Sequence, residues 1–225
     1  MIEYIDNLQS RLGYKFEDKT HLEAALTHRS VGPCHNERLE FLGDSVVNLV
    51  ISDALYHKYP EAREGKLTRM RASLVRGQSL SHLARRLQLG ESIRLGDGEQ
   101  KSGGRRRDSI LADTMEAVIG AIYIDGGMSA CRACISKWLE AEIEAVNPEK
   151  LRKDPKTALQ EWLQREKRKL PTYKVLEVNG PDHNQIFSVA CQVSGLENSS
   201  VGQGTSRREA EQNAAQVALN RLGVL

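Results

Sequence analysis

The chain has 225 residues, with 32 Lys+Arg against 30 Asp+Glu and a formal net charge of +2. With 40% hydrophobic and 28% charged residues, it has the balance of a folded soluble protein and not of a disordered or fibrous one. Its length suits one large domain or two smaller ones. The longest nearly uninterrupted apolar run, Ala117 to Ile124, is too short to span a bilayer, so no membrane partner is expected. Charges in the first segment, MIEYIDNLQSRLGY, argue against a signal peptide. Four cysteines without disulfide-dense spacing point to a reducing compartment, and the expected location is the cytoplasm.

Taken in chain order, apolar residues recur at helical spacing through HLEAALTHR, ERLEFLGDSVVNLVISDALYHKY, LTRMRASLV, SLSHLARRLQL, ILADTMEAVIGAIYI and ACISKWLEAEIEAV. No run of strands interrupts them, so the first part reads as all-α. The stretch NPEKLRKDP, with two prolines and dense charge, separates this part from the next. Beyond it, Asp154-Pro155 is an N-cap and first-turn pair that opens a helix. TYKVLEV, QIFSVACQVS and SVGQG then read as three strands, and RREAEQNAAQVALNRL as a closing helix. The expected division is an all-α domain over residues 1–146, a linker over 147–154, and a small α+β domain with the order α-β-β-β-α over 155–225. The charge divides as well. Residues 1–149 carry 20 Lys+Arg and 22 Asp+Glu, a balance of −2, whereas residues 150–225 balance at +4.

Two helices of the first part carry acids at positions that need explaining. Glu37, Glu40 and Asp44 stand at i, i+3 and i+7, within an arc of about 60°. The same stripe continues as Asn48, Ile51 and Leu55, while Leu39, Leu42, Val46 and Leu49 cover the opposite side. A helix apolar on both sides is normally buried. In SILADTMEAVIGAIYI, Asp113 and Glu116 share a face that continues as Ala117, Gly120 and Ile124. Acids in such surroundings must be paired, protonated or metal-bound. One reading pairs them with Arg105, Arg106 and Arg107, or leaves them on a solvated face. The other makes them a metal site, whose oxygen-only donors would select Mg²⁺ or Mn²⁺. Cys131 and Cys134, a single C-x-x-C on a helix, are better explained by core packing than by zinc. His21, His28, His35, His57, His82 and His183 show no ligand spacing. Neither a nucleophile elbow nor a phosphate-binding glycine loop is present, and no small-molecule organic cofactor is expected.

The segment HNERLEFLGDSV (35–46) resembles the signature motif of ribonuclease III, the double-stranded-RNA endonuclease. The resemblance extends through LTHRS (26–30), EGKLTRMRASLV (64–75), KSGGRRRDSILADTMEAVIGAIYIDGG (101–127) and the C-terminal module, in the order of the bacterial two-domain form. It implies that Glu40, Asp44, Asp113 and Glu116 hold a catalytic Mg²⁺, for which Mn²⁺ is a plausible substitute. It also implies that Glu37 and Glu64 line the same cleft, and that Asp44 and Glu116 are the residues most directly tied to catalysis. The implied reaction is hydrolysis of phosphodiester bonds without a protein nucleophile, giving 5′-phosphate and 3′-hydroxyl ends. Ribosomal precursors and structured transcripts are the implied substrates. A homodimer is implied too, with Phe41, Leu42, Val46 and Leu49 as candidates for core and interface together.

DPKTALQEWLQ, PTYKVLEVNGPDHNQIFSV and GQGTSRREAEQNAAQVAL resemble a double-stranded-RNA-binding domain, a class that reads A-form shape, 2′-hydroxyls and phosphates across about 16 bp. By motif position, Thr157, Gln160, Glu161 and Gln164 face one minor groove. Pro181 and His183 reach the next, and Ser206, Arg207 and Arg208 meet phosphates at the start of the last helix. The competing reading pairs Arg207 and Arg208 with Glu209 and Glu211. A competing function is a duplex-RNA-binding protein whose helical half serves only to dimerise. Retention of all four acids disfavours that alternative.

Overall fold

The computed structural model describes residues 2–147, 154–181 and 185–224, and the chain separates into two compact units, Met1–Leu151 and Arg152–Leu225. Eight α-helices make up the described part of the first unit. They are α1 (Ile2–Leu12), α2 (Lys19–Ala25), α3 (Glu37–Lys58), α4 (Glu64–Val75), α5 (Gly77–Arg86), α6 (Asp97–Lys101), α7 (Asp108–Trp138) and α8 (Glu140–Ala145), with 3₁₀ turns at Leu89–Glu91 and Gly104–Arg106.

The unit is organised around α7, which packs against α2, α3 and α5. By length and composition α7 could cross a bilayer. It is the central helix of this bundle instead, with Ala117, Val118, Ala121 and Ile122 all at 0% exposure. The apolar run seen in the sequence therefore lies within α7, before the kink where Gly127 leaves helical geometry at φ 72°, and its hydrophobicity serves packing. Each fully buried aliphatic side chain in such a core contributes roughly 1.5–3 kcal/mol. Cys131 and Cys134 belong to this core at 1% and 6% exposure, as expected for structural cysteines. Asp125 ties the α1–α2 corner to α7: its carboxylate accepts the Tyr14 hydroxyl at 2.6 Å and the Glu17 and Asp18 amides at 3.0 and 2.9 Å.

Helices α3 and α7 cross at two glycines. A Cβ on Gly43 would lie 1.7 Å from the Glu116 carbonyl oxygen, and one on Gly120 would lie 2.2 Å from that of Leu39. Neither position can hold a side chain without separating the two helices. Because Gly43 lies between Glu40 and Asp44, and Gly120 lies one turn beyond Glu116, this contact brings the acidic stripes of both helices together.

The sequence suggested that α3 is buried on both sides. In the structure Val46, Val47, Val50, Ile51 and Leu55 are buried, Leu39 and Leu42 are half-buried against the core, and Phe41, Leu49 and Tyr56 are 79%, 55% and 67% exposed. The candidates for core and interface are thereby divided: Val46 is core, Leu42 borders it, and Phe41 and Leu49 face outward.

The second unit contains α9 (Pro155–Arg165), β1 (Thr172–Asn179), β2 (Ile186–Gln192), β3 (Ser200–Gly204) and α10 (Arg207–Arg221). The strands form an antiparallel sheet in the order β1-β2-β3, with Thr172 opposite Gln192, Cys191 opposite Ser200 and a register shift between Val175 and Glu177. Asp154 caps α9 by accepting the Thr157 amide at 3.1 Å, the role its place before Pro155 predicts. Leu159 and Leu163 of α9 meet Cys191 and the alanine face of α10, formed by Ala214, Ala215 and Ala218. Small residues let α10 lie so close to β3 that a Cβ on Gly202 would sit 2.1 Å from the Ala214 nitrogen.

The helix crossing makes a direct prediction. Gly43→Ala or Gly120→Ala should cost more than ~2 kcal/mol by overpacking and lower the melting temperature of the helical unit by roughly 5–10 °C. Gly98→Ala, where an added Cβ meets nothing within 4 Å, should leave it unchanged. Thermal unfolding followed by circular dichroism measures all three.

Candidate active site

Glu40, on α3, and Asp113 and Glu116, on α7, each offer a carboxylate oxygen, and these atoms lie within 4.8 Å of one another. All three residues are half-buried. Burial pushes the Glu40, Asp113 and Glu116 carboxyls above their usual range. For Glu116, burial and then repulsion from Asp44, Glu40 and Asp113 raise the pKa to about 8. Asp113 and Glu37 add repulsion at Glu40. Without a cation, part of this cluster holds protons at neutral pH.

The nearby arginines do not neutralise the trio. Arg29 donates to Glu37 at 3.2 Å, Arg107 pairs with Glu99 at 2.9 Å, and Arg105 donates to the Glu91 carbonyl at 2.7 Å. Arg29 and His28 do draw the Asp113 carboxyl down, but burial outweighs them. Pairing with Arg105, Arg106 and Arg107, the alternative left open by the sequence, is not what the structure adopts. Three crowded oxygen donors with raised proton affinity fit a hard divalent cation, which would replace the protons.

The remaining sequence candidates divide by position. Asp44 is exposed, outside the tight trio, and its carboxylate accepts the Asn48 side-chain amide at 2.9 Å. It reaches the trio through the field it exerts on Glu116 and Glu40. Glu37 is exposed at the start of α3, paired with Arg29 and 3.7 Å from the His35 ring nitrogen. It lines a cleft of about 380 Å³ together with Glu40, Asp113, His28, Arg29, Asn36 and Arg107. Glu64, at the start of α4, is outside this cleft. Its carboxylate accepts the Thr68 hydroxyl at 2.7 Å, and it lines a separate groove of about 610 Å³ with Leu49, Leu55, Tyr56, Ala62 and Leu67.

Sequence reasoning assigned no role to His28, Arg29 or Asn36, and considered Arg107 only as an ion-pair partner for the acids. Asn36 is 2% exposed, and its side-chain amide nitrogen is buried without a hydrogen-bond partner among the described residues. An unpaired donor beside two cationic side chains suits an anionic oxygen. LTHRS and HNERLEF both stood out as motifs, but their bridging is tertiary. His28 N donates to the Arg94 carbonyl at 3.0 Å and Asn36 N to the Thr27 carbonyl at 2.9 Å, which closes the loop over the cleft.

In the second unit Thr157, Gln160, Glu161 and Gln164 are all exposed, within an arc of about 100° on α9, opposite the buried Leu159 and Leu163. Pro181 is exposed after β1, and His183 lies outside the described residues. Ser206 caps α10, accepting the Glu209 amide at 3.2 Å. Arg207 pairs with Glu211 at 3.0 Å, so half of the competing ion-pair reading holds. Arg208 is exposed.

Residues 18–143 match the family model described as ribonuclease-III-like, and residues 155–222 match the double-stranded RNA binding motif. The chain is 52% identical over 218 residues to ribonuclease 3 of Vibrio campbellii, covering 97% of each chain. It is 51% identical over 218 residues to ribonuclease 3 of Aliivibrio fischeri, covering 97% of this chain and 98% of the relative. A solved nuclease domain of ribonuclease III from Campylobacter jejuni superposes with a TM-score of 0.60 at 40% identity, covering 61% of this chain and 96% of the other. Matched in both units and along nearly its whole length, the chain belongs to the ribonuclease III family and is an endoribonuclease of that type carrying a double-stranded-RNA-binding motif.

Proposed function

We propose that this protein is a Mg²⁺-dependent endonuclease of double-stranded RNA, able to use Mn²⁺, that leaves 5′-phosphate and 3′-hydroxyl ends. We also propose that it acts in the cytoplasm on ribosomal RNA precursors and structured transcripts. In this reading residues 1–146 cut, 147–154 link, and 155–225 hold the duplex. The observation that carries the reading is the Glu40–Asp113–Glu116 trio, whose donors lie within 4.8 Å and form no ion pair with an arginine among the described residues.

Glu40, Asp113 and Glu116 would hold the ion, with Asp44 one turn along α3 completing the negative field. The chemistry a bound cation supplies is Lewis-acid polarisation of the phosphodiester and a lowered pKa for water. The protein's own contribution is positioning. Arg29, Arg107, His28 and the unpaired Asn36 amide border the acids on the cleft wall, where they can hold phosphate oxygens and offset the repulsion between carboxylates and RNA. Glu37 is fixed by Arg29 at the edge of the same cleft. Asp44 and Glu116 remain the proposed catalytic pair.

A homodimer is part of the same reading. Phe41, Leu49 and Tyr56 are exposed within an arc of about 80° on α3, beside the apolar groove that Glu64 borders. Exposed apolar side chains next to an apolar groove suit a self-complementary two-fold contact. Such a contact would also give Glu64 a place near a cleft, which its own protomer does not provide. The Campylobacter jejuni structure is described as having a region involved in dimer formation of its nuclease domain.

Four outcomes test the proposal. The full chain should cut a long RNA duplex in Mg²⁺ and stop when EDTA is in excess; binding without cutting in Mg²⁺ would leave only an RNA-binding protein. Glu116→Gln should lower cleavage by more than ~100-fold, beyond what loss of an outer-shell partner costs, while still binding duplex. It should also stabilise the metal-free protein. The Glu116 pKa is about 8 in the folded state against an ordinary 4.5, so between those values the folded chain binds more protons and stability falls as pH rises. In EDTA at pH 8 the variant should melt at least ~2–4 °C above the parent, and the gap should close below pH ~4.5. Finally, Phe41→Asp should convert the protein to a monomer in sedimentation velocity; a dimer of unchanged stability would place the interface elsewhere.

A further inference from the structure

The first turns of α10 read Ser206-Arg207-Arg208-Glu209-Ala210-Glu211, so two cations are followed closely by two acids. Glu209 turns back toward the strand–helix corner. One of its carboxylate oxygens accepts both the Thr205 amide and the Thr205 hydroxyl, each at 2.7 Å, while its own amide donates to Ser206 Oγ at 3.2 Å. This is a reciprocal cap of the kind that satisfies free N–H groups at a helix start. The bonds from Thr205 hold the Glu209 carboxyl below the usual glutamate range. Its stem lies over Gly204, where an added Cβ would come 2.7 Å from Glu209 Cγ. The negative charge is thus fixed at the mouth of the helix.

Glu211 engages the surrounding cations. It pairs with Lys156 at 2.6 Å and with Arg207 at 3.0 Å, and Lys156 also lies 4.4 Å from the centre of the Tyr173 ring. That network joins α9, β1 and α10 and keeps Lys156 and Arg207 occupied within the protein. Arg208 has no ion pair among the described residues and is exposed. At the end of α10 whose N–H groups and dipole favour an anion, Glu209 and Glu211 therefore offset all but one of the formal charges of Lys156, Arg207 and Arg208.

We propose that Glu209 sets the RNA affinity of this protein: it is an acid built into the phosphate-facing end of α10 that weakens the grip on duplex RNA and leaves Arg208 as the principal cation there. The inference rests on the reading above, in which Ser206, Arg207 and Arg208 meet phosphates. Phosphate contacts supply most of the salt-sensitive affinity for nucleic acid, so a fixed carboxylate at that point lowers binding uniformly and not for one sequence. The unit then depends on the exposed face of α9 for its share of the hold, and it releases duplex faster than a fully cationic helix start would.

The test uses the full chain in EDTA, so that RNA stays intact, and a labelled duplex longer than the ~16 bp that such a module spans. Dissociation constants are measured between 50 and 200 mM KCl for the parent, Glu209→Gln, Glu209→Lys and Arg208→Ala. Glutamine keeps the hydrogen-bond acceptor and the cap while removing the charge, and thermal unfolding verifies that the variants fold. Glu209→Gln should bind ~2–5-fold tighter and Glu209→Lys ~10-fold tighter or more, with a log Kd–log salt slope steeper by about one unit. Arg208→Ala should bind several-fold weaker. If Arg208→Ala weakens binding and both Glu209 variants match the parent, the affinity-setting role is wrong while the phosphate site stands. If Arg208→Ala also matches the parent, phosphates do not meet this helix and the underlying reading falls with the proposal.

Discussion

The backbones of α3 and α7 touch at Gly43 and Gly120, at distances where a Cβ would overlap the Glu116 and Leu39 carbonyls, and the site follows from that contact. Each helix alone carries acids that could face solvent. Brought together, Glu40 from one and Asp113 with Glu116 from the other surround a single point. The rest of the helical unit serves to hold this crossing. The buried Val46, Val47, Val50 and Ile51 of α3 and the fully buried Ala117, Val118, Ala121 and Ile122 of α7 keep the two axes from separating. The loop that carries His28 and Arg29 is fastened by backbone bonds to Arg94 and Asn36.

That geometry has an electrostatic cost. Burial raises the proton affinity of all three carboxyls, and repulsion from neighbouring carboxylates adds to it at Glu40 and above all at Glu116. A protein selected for stability alone would not retain them, since pairing with the nearby arginines or apolar replacement would be cheaper. Here the arginines are engaged elsewhere. The cost would become a source of affinity if a divalent cation replaced the protons, because ligand deprotonation and metal binding are linked. The near-neutral total of +2 has the same origin: the acids that offset the basic residues include those concentrated at the cleft.

Much of the architecture was legible in the chain. Helical periodicity marked the first unit, and Asp154-Pro155 marked the start of α9 with the cap the structure contains. Three strand segments were read between turn residues, and the spacing of acids on two helices pointed to Glu37, Glu40, Asp44, Asp113 and Glu116, of which Glu40, Asp113 and Glu116 meet. What the chain did not reveal depends on tertiary contact. Asp44 shares a helical face with Glu40 by angle, yet it lies outside the tight trio and bonds to Asn48. Glu64 belongs to the family pattern, but α4 carries it to a different groove. Phe41 and Leu49 could not be divided between core and interface from the chain, because periodicity reports hydrophobic faces without saying which of them a single protomer covers; both are exposed, as is Tyr56. His28, Arg29 and Asn36 could not be assigned from spacing because loop closure brings them to the acids. In the second unit, composition alone could not separate the two glutamates of α10: Glu209 caps the helix, whereas Glu211 binds Lys156 and Arg207.

We propose that the α3–α7 crossing creates a cation site by forcing carboxyls into a space where Glu116 holds a proton at neutral pH. Calorimetric titration of the full chain with Mn²⁺, repeated at pH 7 in buffers of different ionisation enthalpy, measures that proton count directly. The account predicts release of about one proton per bound ion at pH 7, fewer as pH passes the Glu116 value of about 8, and none in Glu116→Gln. Binding with no proton released at pH 7, or a release that survives Glu116→Gln, would contradict it.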